Sequence, residues 1–139
     1  LNSMDLSPAL TGALLMWNDD LSGSHTIAQG LYSSLGSWLH GALHRREGDF
    51  SNSKYWFRRV DEQKVLTAMS KHAAKIINVD SLATEEPALA TIKEKWDPFI
   101  FVDLCAAAVS DGTVIKSILE QLQAAELSLL AELAAGYNN

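Results

Sequence analysis

Apolar residues in this chain return every three or four positions, and short polar breaks cut that rhythm into blocks. The last block shows it plainly: Ile115, Ile118, Leu119, Leu122, Leu129, Leu130 and Leu133 fall on one helical face before Gly136. Strand-like alternation is scarce, Ala and Leu dominate, and prolines number three. The pattern therefore predicts an all-α fold. With 139 residues, 47% of them hydrophobic, the chain can bury one core. The expectation is a compact single-domain bundle of five to seven helices over residues 1–139, with no internal repeat and no dividing linker. Leu1-Asn2-Ser3, ahead of Met4, reads as a leftover of expression and is set aside.

The breaks place the helices. Ser7-Pro8 reads as a cap and first helical residue, opening a helix through Leu10, Leu14, Leu15 and Trp17. Asn18-Asp19-Asp20 ends it and starts the next turn. A long helix is then expected from about Ser22 or Ser24 to Glu47, stopped by Gly48. Ser51 is read as the cap of a short helix holding Tyr55, Trp56 and Arg59, running with little interruption into one around Val65, Leu66, Met69 and Ala73. Asn78-Val79-Asp80 is a loop, and Thr84 caps a helix with Leu89 and Ile92 that stops at Trp96. Asp97-Pro98 opens a nearly all-apolar helix through Val109, read as the buried central one, which makes Asp103 unexpected within it. A paired Asp103 is favoured over an isolated buried acid. Asp111-Gly112 breaks the chain, and Thr113 caps the last helix.

The chemistry is concentrated between His40 and Arg59. Residues 44–60 carry Arg45, Arg46, Lys54, Arg58 and Arg59 against Glu47 and Asp49, a local charge of +3 in a chain of net charge -6. On a single helix through residues 25–47, Leu31, Leu35, Trp38, Leu39 and Ala42 share one side. Opposite them lie Gln29, Ser33, Gly36, Ser37, His40, His44 and Glu47. That stripe is short and mostly uncharged, with a glycine where another backbone could approach, so it suits a wall facing a cavity or helix better than solvent. His25, some four turns before His40 on such a helix, could reach the same cavity only at its far end.

Three chemistries fit. The leading one is a metal-free pocket for a small anionic molecule, which the protein binds and could also transform. Arg45 and Arg58 are its fork-shaped anion donors and Trp56 its flat wall. His44 with Glu47 is the proton-handling pair, Tyr55 a neutral donor, and His25, His40, Asp49 and Asn52 complete the lining. The alternative is a divalent metal held by His40, His44 and Glu47, all on one helical face, without the His-Glu-x-x-His protease pattern, since Gly41 follows His40. A structural module is the third: Arg45, Arg46, Glu47, Asp49, Arg58 and Arg59 form an ion-pair network, Trp38 and Trp56 are core, and the leucine-rich last helix makes a homodimer.

Other classes are disfavoured. An acidic chain lacks the basic face that nucleic acid requires. No apolar stretch is long enough for a membrane span, and the lone Cys105, in an apolar run, reads as a buried inert thiol in a reducing, cytoplasmic setting. Gly-rich phosphate loops, Cys-x-x-Cys pairs and nucleophile elbows are missing.

The segments Trp17-Asn18-Asp19-Asp20, His25-Thr26-Ile27-Ala28-Gln29, His40 to Asp49, Asn52 to Arg59 and Trp96-Asp97-Pro98-Phe99 resemble an uncharacterised family of small helical bacterial proteins. Its pattern is His-Arg-Arg-Glu-x-Asp followed by Asn and Tyr-Trp-x-Arg-Arg. The resemblance covers most of the chain and implies one site made of His25, His40, His44, Arg45, Glu47, Asp49, Asn52, Tyr55, Trp56 and Arg58. It implies no reaction or cofactor. Ser53 departs from the pattern, which has alanine there; a small residue should leave the helix undisturbed.

Overall fold

The structure, a computed structural model, describes residues 8–61, 63–77, 86–108 and 114–136. Among these it is all helical, with eight helices rather than five to seven: α1 (Pro8–Trp17), α2 (Leu21–Ala28), α3 (Ser34–Glu47), α4 (Phe50–Phe57), α5 (Gln63–Ile76), α6 (Pro87–Glu94), α7 (Pro98–Ala108) and α8 (Val114–Gly136). The expected caps Ser7, Thr84 and Thr113, the loop at 78–80 and the break at 111–112 lie outside the described residues. Contacts gather into two compact units, residues 1–60 with 127–139, and residues 61–126.

The extra helix comes from a break that the periodicity hid. Residues 25–47 are not one helix: α2 stops at Ala28 and α3 starts at Ser34. Ser33 Oγ caps the new helix by accepting from Gly36 N at 3.0 Å. The turn is tight enough that a Cβ on Gly36 would meet Leu31 Cβ at 2.5 Å and Leu31 O at 2.9 Å, so the backbone approach anticipated at this glycine is that of Leu31. Heptad-like spacing of Leu31, Leu35 and Leu39 continues across the break, which is why it is invisible to a helical wheel.

The first unit contains a repeat that the sequence reading missed. Shifting α1–α2 by 29 positions, Asp20 onto Asp49, superposes the pattern of α3–α4. Asp19 and Gly48 are both left-handed, with φ of 62° and 84°. Each ends a helix with the same pair of bonds: Asp19 N to Met16 O and Asp20 N to Leu15 O, then Gly48 N to Arg45 O and Asp49 N to His44 O. Asp20 and Asp49 stand at the N-caps of two eight-residue helices. A serine hydroxyl then ties each second helix to the first, Ser24 Oγ to Gly12 O at 2.8 Å and Ser53 Oγ to Gly41 O at 2.6 Å, both buried. The signal was present as Leu-x-Gly-Ala-Leu at 10–14 and 39–43, and Asp-x-Ser-x-Ser at 20–24 and 49–53. Ser53 is therefore a clasp. Ser51, expected to cap α4, lies inside it, because Gly48 ends α3 early enough for Asp49 to take the cap position.

Gly41 sets how closely α3 and α4 approach, since a Cβ there would meet the Phe57 ring at 2.8 Å. Trp38 meets the same ring edge-on, centroids 6.1 Å apart. Ala13, Met16, Ala28, Trp38, Leu39, Leu43 and Phe57 are buried in this unit.

α4 does not continue into α5, which begins only at Gln63, in the second unit. Val65, Met69, Ala73, Leu89, Ile92, Trp96, Phe101 and Val102 are buried, with Trp96 and Phe101 4.7 Å apart. Asp97 Oδ1 accepts from Phe99 N at 2.9 Å, the cap expected before Pro98. α7 is not buried all round: Asp103 is exposed and Cys105 half-buried, accepting from Gln123 Nε2 at 3.7 Å. On an exposed face Asp103 avoids the desolvation that made it unexpected. On α8 the apolar stripe, including Ile118, Leu119, Leu122, Leu129 and Leu130, is buried within the single chain. No helix, among the described residues, is long and apolar enough to cross a membrane.

Candidate functional site

The break between α2 and α3 turns the chain back so that His25 meets His40 and His44. The three imidazole centroids form a triangle with each side 5.2 Å. His40 and His44, one turn apart on α3, are nearly parallel at 9°, and His25 meets both edge-on at 81° and 75°. One nitrogen from each ring lies within 4.8 Å of the others. Measured along a continuous helix His25 could not share an atom with His40; the turn at 29–33 removes that restriction.

Two of the three rings are buried, and His25 is half-buried. His40 is 2% exposed and His44 6%; of the polar stripe, Gly36, Ser37, His40 and His44 are buried, while Gln29, Ser33 and Glu47 are exposed. Burial, with His44 and His25 adding repulsion, pushes His40 down from 6.5 to about 4, which keeps it neutral at physiological pH. His44 is also held below its ordinary value: burial outweighs the upward pull of Glu47 and Asp49. The Nδ1 atoms of His40 and His44 are buried without a hydrogen-bond partner. Glu47 Oε2 lies 3.4 Å and Asp49 Oδ2 3.9 Å from His44 Nδ1, close enough for electrostatic attraction.

α4 closes one side. Trp56, half-buried, lies flat on His40 with centroids 3.9 Å apart and planes 2° from parallel. Asn52 Nδ2 is 3.4 Å from His44 Nε2 and donates to Asp49 Oδ2 at 3.3 Å. Asp49 makes no side-chain cap, whereas its counterpart Asp20 accepts from Gly23 N at 2.9 Å. The position matching Asn52 is Gly23, where a Cβ would meet Asp20 Oδ2 at 2.6 Å. A side chain at position 52 therefore crowds the capping geometry, and the carboxylate turns toward His44 at the expense of a cap worth about 1 kcal/mol.

The remaining expected residues lie around this centre. Glu47 is beside His44 rather than among the clustered histidines. Arg45 is buried, its guanidinium 5.8 Å from the Phe57 ring centroid. Arg58 is exposed in the turn after α4, and Tyr55 is 49% exposed. Arg59 lies over Trp56 at 5.3 Å and reaches Tyr55 Oη at 3.5 Å. Arg46 pairs with Asp19 of the α1–α2 turn, a partner outside the network expected at 45–59.

Chemically, three imidazoles with one nitrogen each within 4.8 Å of the others are a nitrogen donor set for a divalent transition metal. A four-coordinate ion with bonds of about 2.0–2.1 Å spaces its ligand atoms by about 3.4 Å, so the widest pair, 4.8 Å, must close by about 1.4 Å. Comparison of the chain with protein-family models, curated proteins and solved structures found no match to any of them.

Proposed function

We propose that this protein binds a first-row divalent transition metal through His25, His40 and His44. The observation that carries the reading is a three-histidine cluster, His40 and His44 buried and His25 half-buried, in which His40 Nδ1 has no hydrogen-bond partner. A buried imidazole nitrogen without a partner costs about 1–3 kcal/mol, and an ion at the cluster relieves that cost. Imidazole ligands suit zinc, iron, nickel or copper, and three of them leave a coordination position for water or substrate. Glu47 and Asp49, against His44 Nδ1, would fix its tautomer so that Nε2 faces the ion. A small anionic molecule, the ligand favoured by the sequence, would then bind at the open position rather than on Arg45 and Arg58 alone.

The test is metal content of tag-free protein by mass spectrometry, before and after chelation and reloading, with His25→Ala beside it. Near-stoichiometric metal in the wild type and its loss in the variant support the reading. No metal retained after loading with zinc, iron, nickel and copper rejects it.

A further inference from the structure

Helices α3 and α4 confront each other with matched pairs one turn apart, His40 and His44 against Trp56 and Asn52. Trp56 covers His40, and the Asn52 amide stands 3.4 Å from His44 Nε2. The carboxylates occupy the Nδ1 side of His44, so Nε2 is the nitrogen left to ligate. Its separation from the Asn52 amide already equals the spacing of two ligands on one four-coordinate ion, about 3.4 Å.

Resting on the metal reading above, we propose that Asn52 is the fourth ligand, through Oδ1, and that a small anion is the class of molecule that displaces it. In the structure the amide nitrogen faces His44 and also donates to Asp49 Oδ2 at 3.3 Å. A half-turn about χ2 exchanges nitrogen for oxygen, since the two ends of the amide have the same shape. That half-turn sets Oδ1 against the Asp49 carboxylate, an unfavourable contact unless a cation draws the oxygen in. Coordination and the orientation of Asn52 are thus coupled.

The anion class follows from charge. Three neutral imidazoles and an amide leave a dipositive ion without a charged ligand, in a buried setting where Coulomb attraction is strong. Glu47 and Asp49 stand on the far edge of His44, where they orient the ring without supplying an anionic ligand. An anion arriving at the ion therefore gains more than the uncharged amide it replaces.

The experiment is a cobalt(II) titration of the full chain followed by visible absorption, for wild type, N52A and N52D, with azide as the probe anion. The expected result is a four-coordinate spectrum in the wild type and cobalt affinity about 10-fold or more weaker in N52A. N52D binds more tightly than wild type, and azide alters the N52A spectrum at lower concentration than the wild-type spectrum. Wild type that takes up no cobalt overturns the metal reading itself. Cobalt affinity and spectrum unchanged in both variants overturn the Asn52 assignment alone. Equal azide midpoints in wild type and N52A overturn the displacement. Thermal melts of each variant separate lost binding from lost fold, and N52D decides the matter should N52A unfold.

Discussion

His40 and Trp56 lie face to face, ring centroids 3.9 Å apart and planes 2° from parallel, although they belong to different helices. The stack ties α4 to the wall that carries the histidines, and it depends on the Gly41–Ser53 clasp that brings the two helices together. Trp56 is thus a structural lid on His40. Trp56→Phe, which keeps a flat ring, should cost about 1 kcal/mol, and Trp56→Ala about 3 kcal/mol, read from urea midpoints. Equal losses in the two variants would show that the stack contributes nothing.

Metal affinity should separate the ligands from their supports. His25→Ala and His40→Ala should abolish retention of metal, while Glu47→Ala should weaken it by about 10–100-fold through loss of ring orientation. Isothermal titration with zinc against a competing chelator checks this. Abolition by Glu47→Ala with retention in His25→Ala would restore Glu47 as a ligand in place of His25.

Stability in the presence of a chelator should fall on the acid side. His40 titrates at about 4 in the folded protein against 6.5 unfolded, so above pH 6.5 both states are neutral and nothing is lost. Between pH 6.5 and about 4 only the unfolded chain takes the proton, and folding weakens by up to about 1.4 kcal/mol per pH unit. His40→Gln should flatten that slope in urea melts recorded from pH 7 to pH 5. An unchanged slope would assign the acid sensitivity elsewhere.

Gly41 of α3 and Gly48, which caps its end, should respond for different reasons. Gly41→Ala forces a Cβ against the buried Phe57 ring at 2.8 Å and should cost about 1–3 kcal/mol. Gly48→Ala meets nothing within 4 Å, but its φ of 84° makes any Cβ strained, for about 1–2 kcal/mol. Ser53→Ala should lose about 1 kcal/mol with its hydroxyl bond to Gly41. Thermal melts order the three, and only Gly41→Ala and Ser53→Ala should also disturb metal binding.

Much of this was legible in one dimension. Asp97-Pro98, Gly48 and the apolar stripe of α8 act through local backbone and cap geometry, and each does in the structure what its residue type requires. The long second helix was misread because Leu31, Leu35 and Leu39 keep helical spacing through a turn that Ser33 and Gly36 create. The paired Gly-Ala-Leu and Asp-x-Ser-x-Ser segments were visible, but their meaning rests on two buried serine bonds that spacing alone does not announce.

The sequence by itself determined the all-helical class and most of its polar breaks, because those depend on backbone preferences and on periodic apolar faces. Only the tertiary structure decided that His25 joins His40 and His44 and that Glu47 stands behind the ring. It also decided that Asp49 gives up its cap to face His44. These are outcomes of where a turn of five residues, Gln29 to Ser33, sends the chain in space, and of which side chains then compete for the same buried volume.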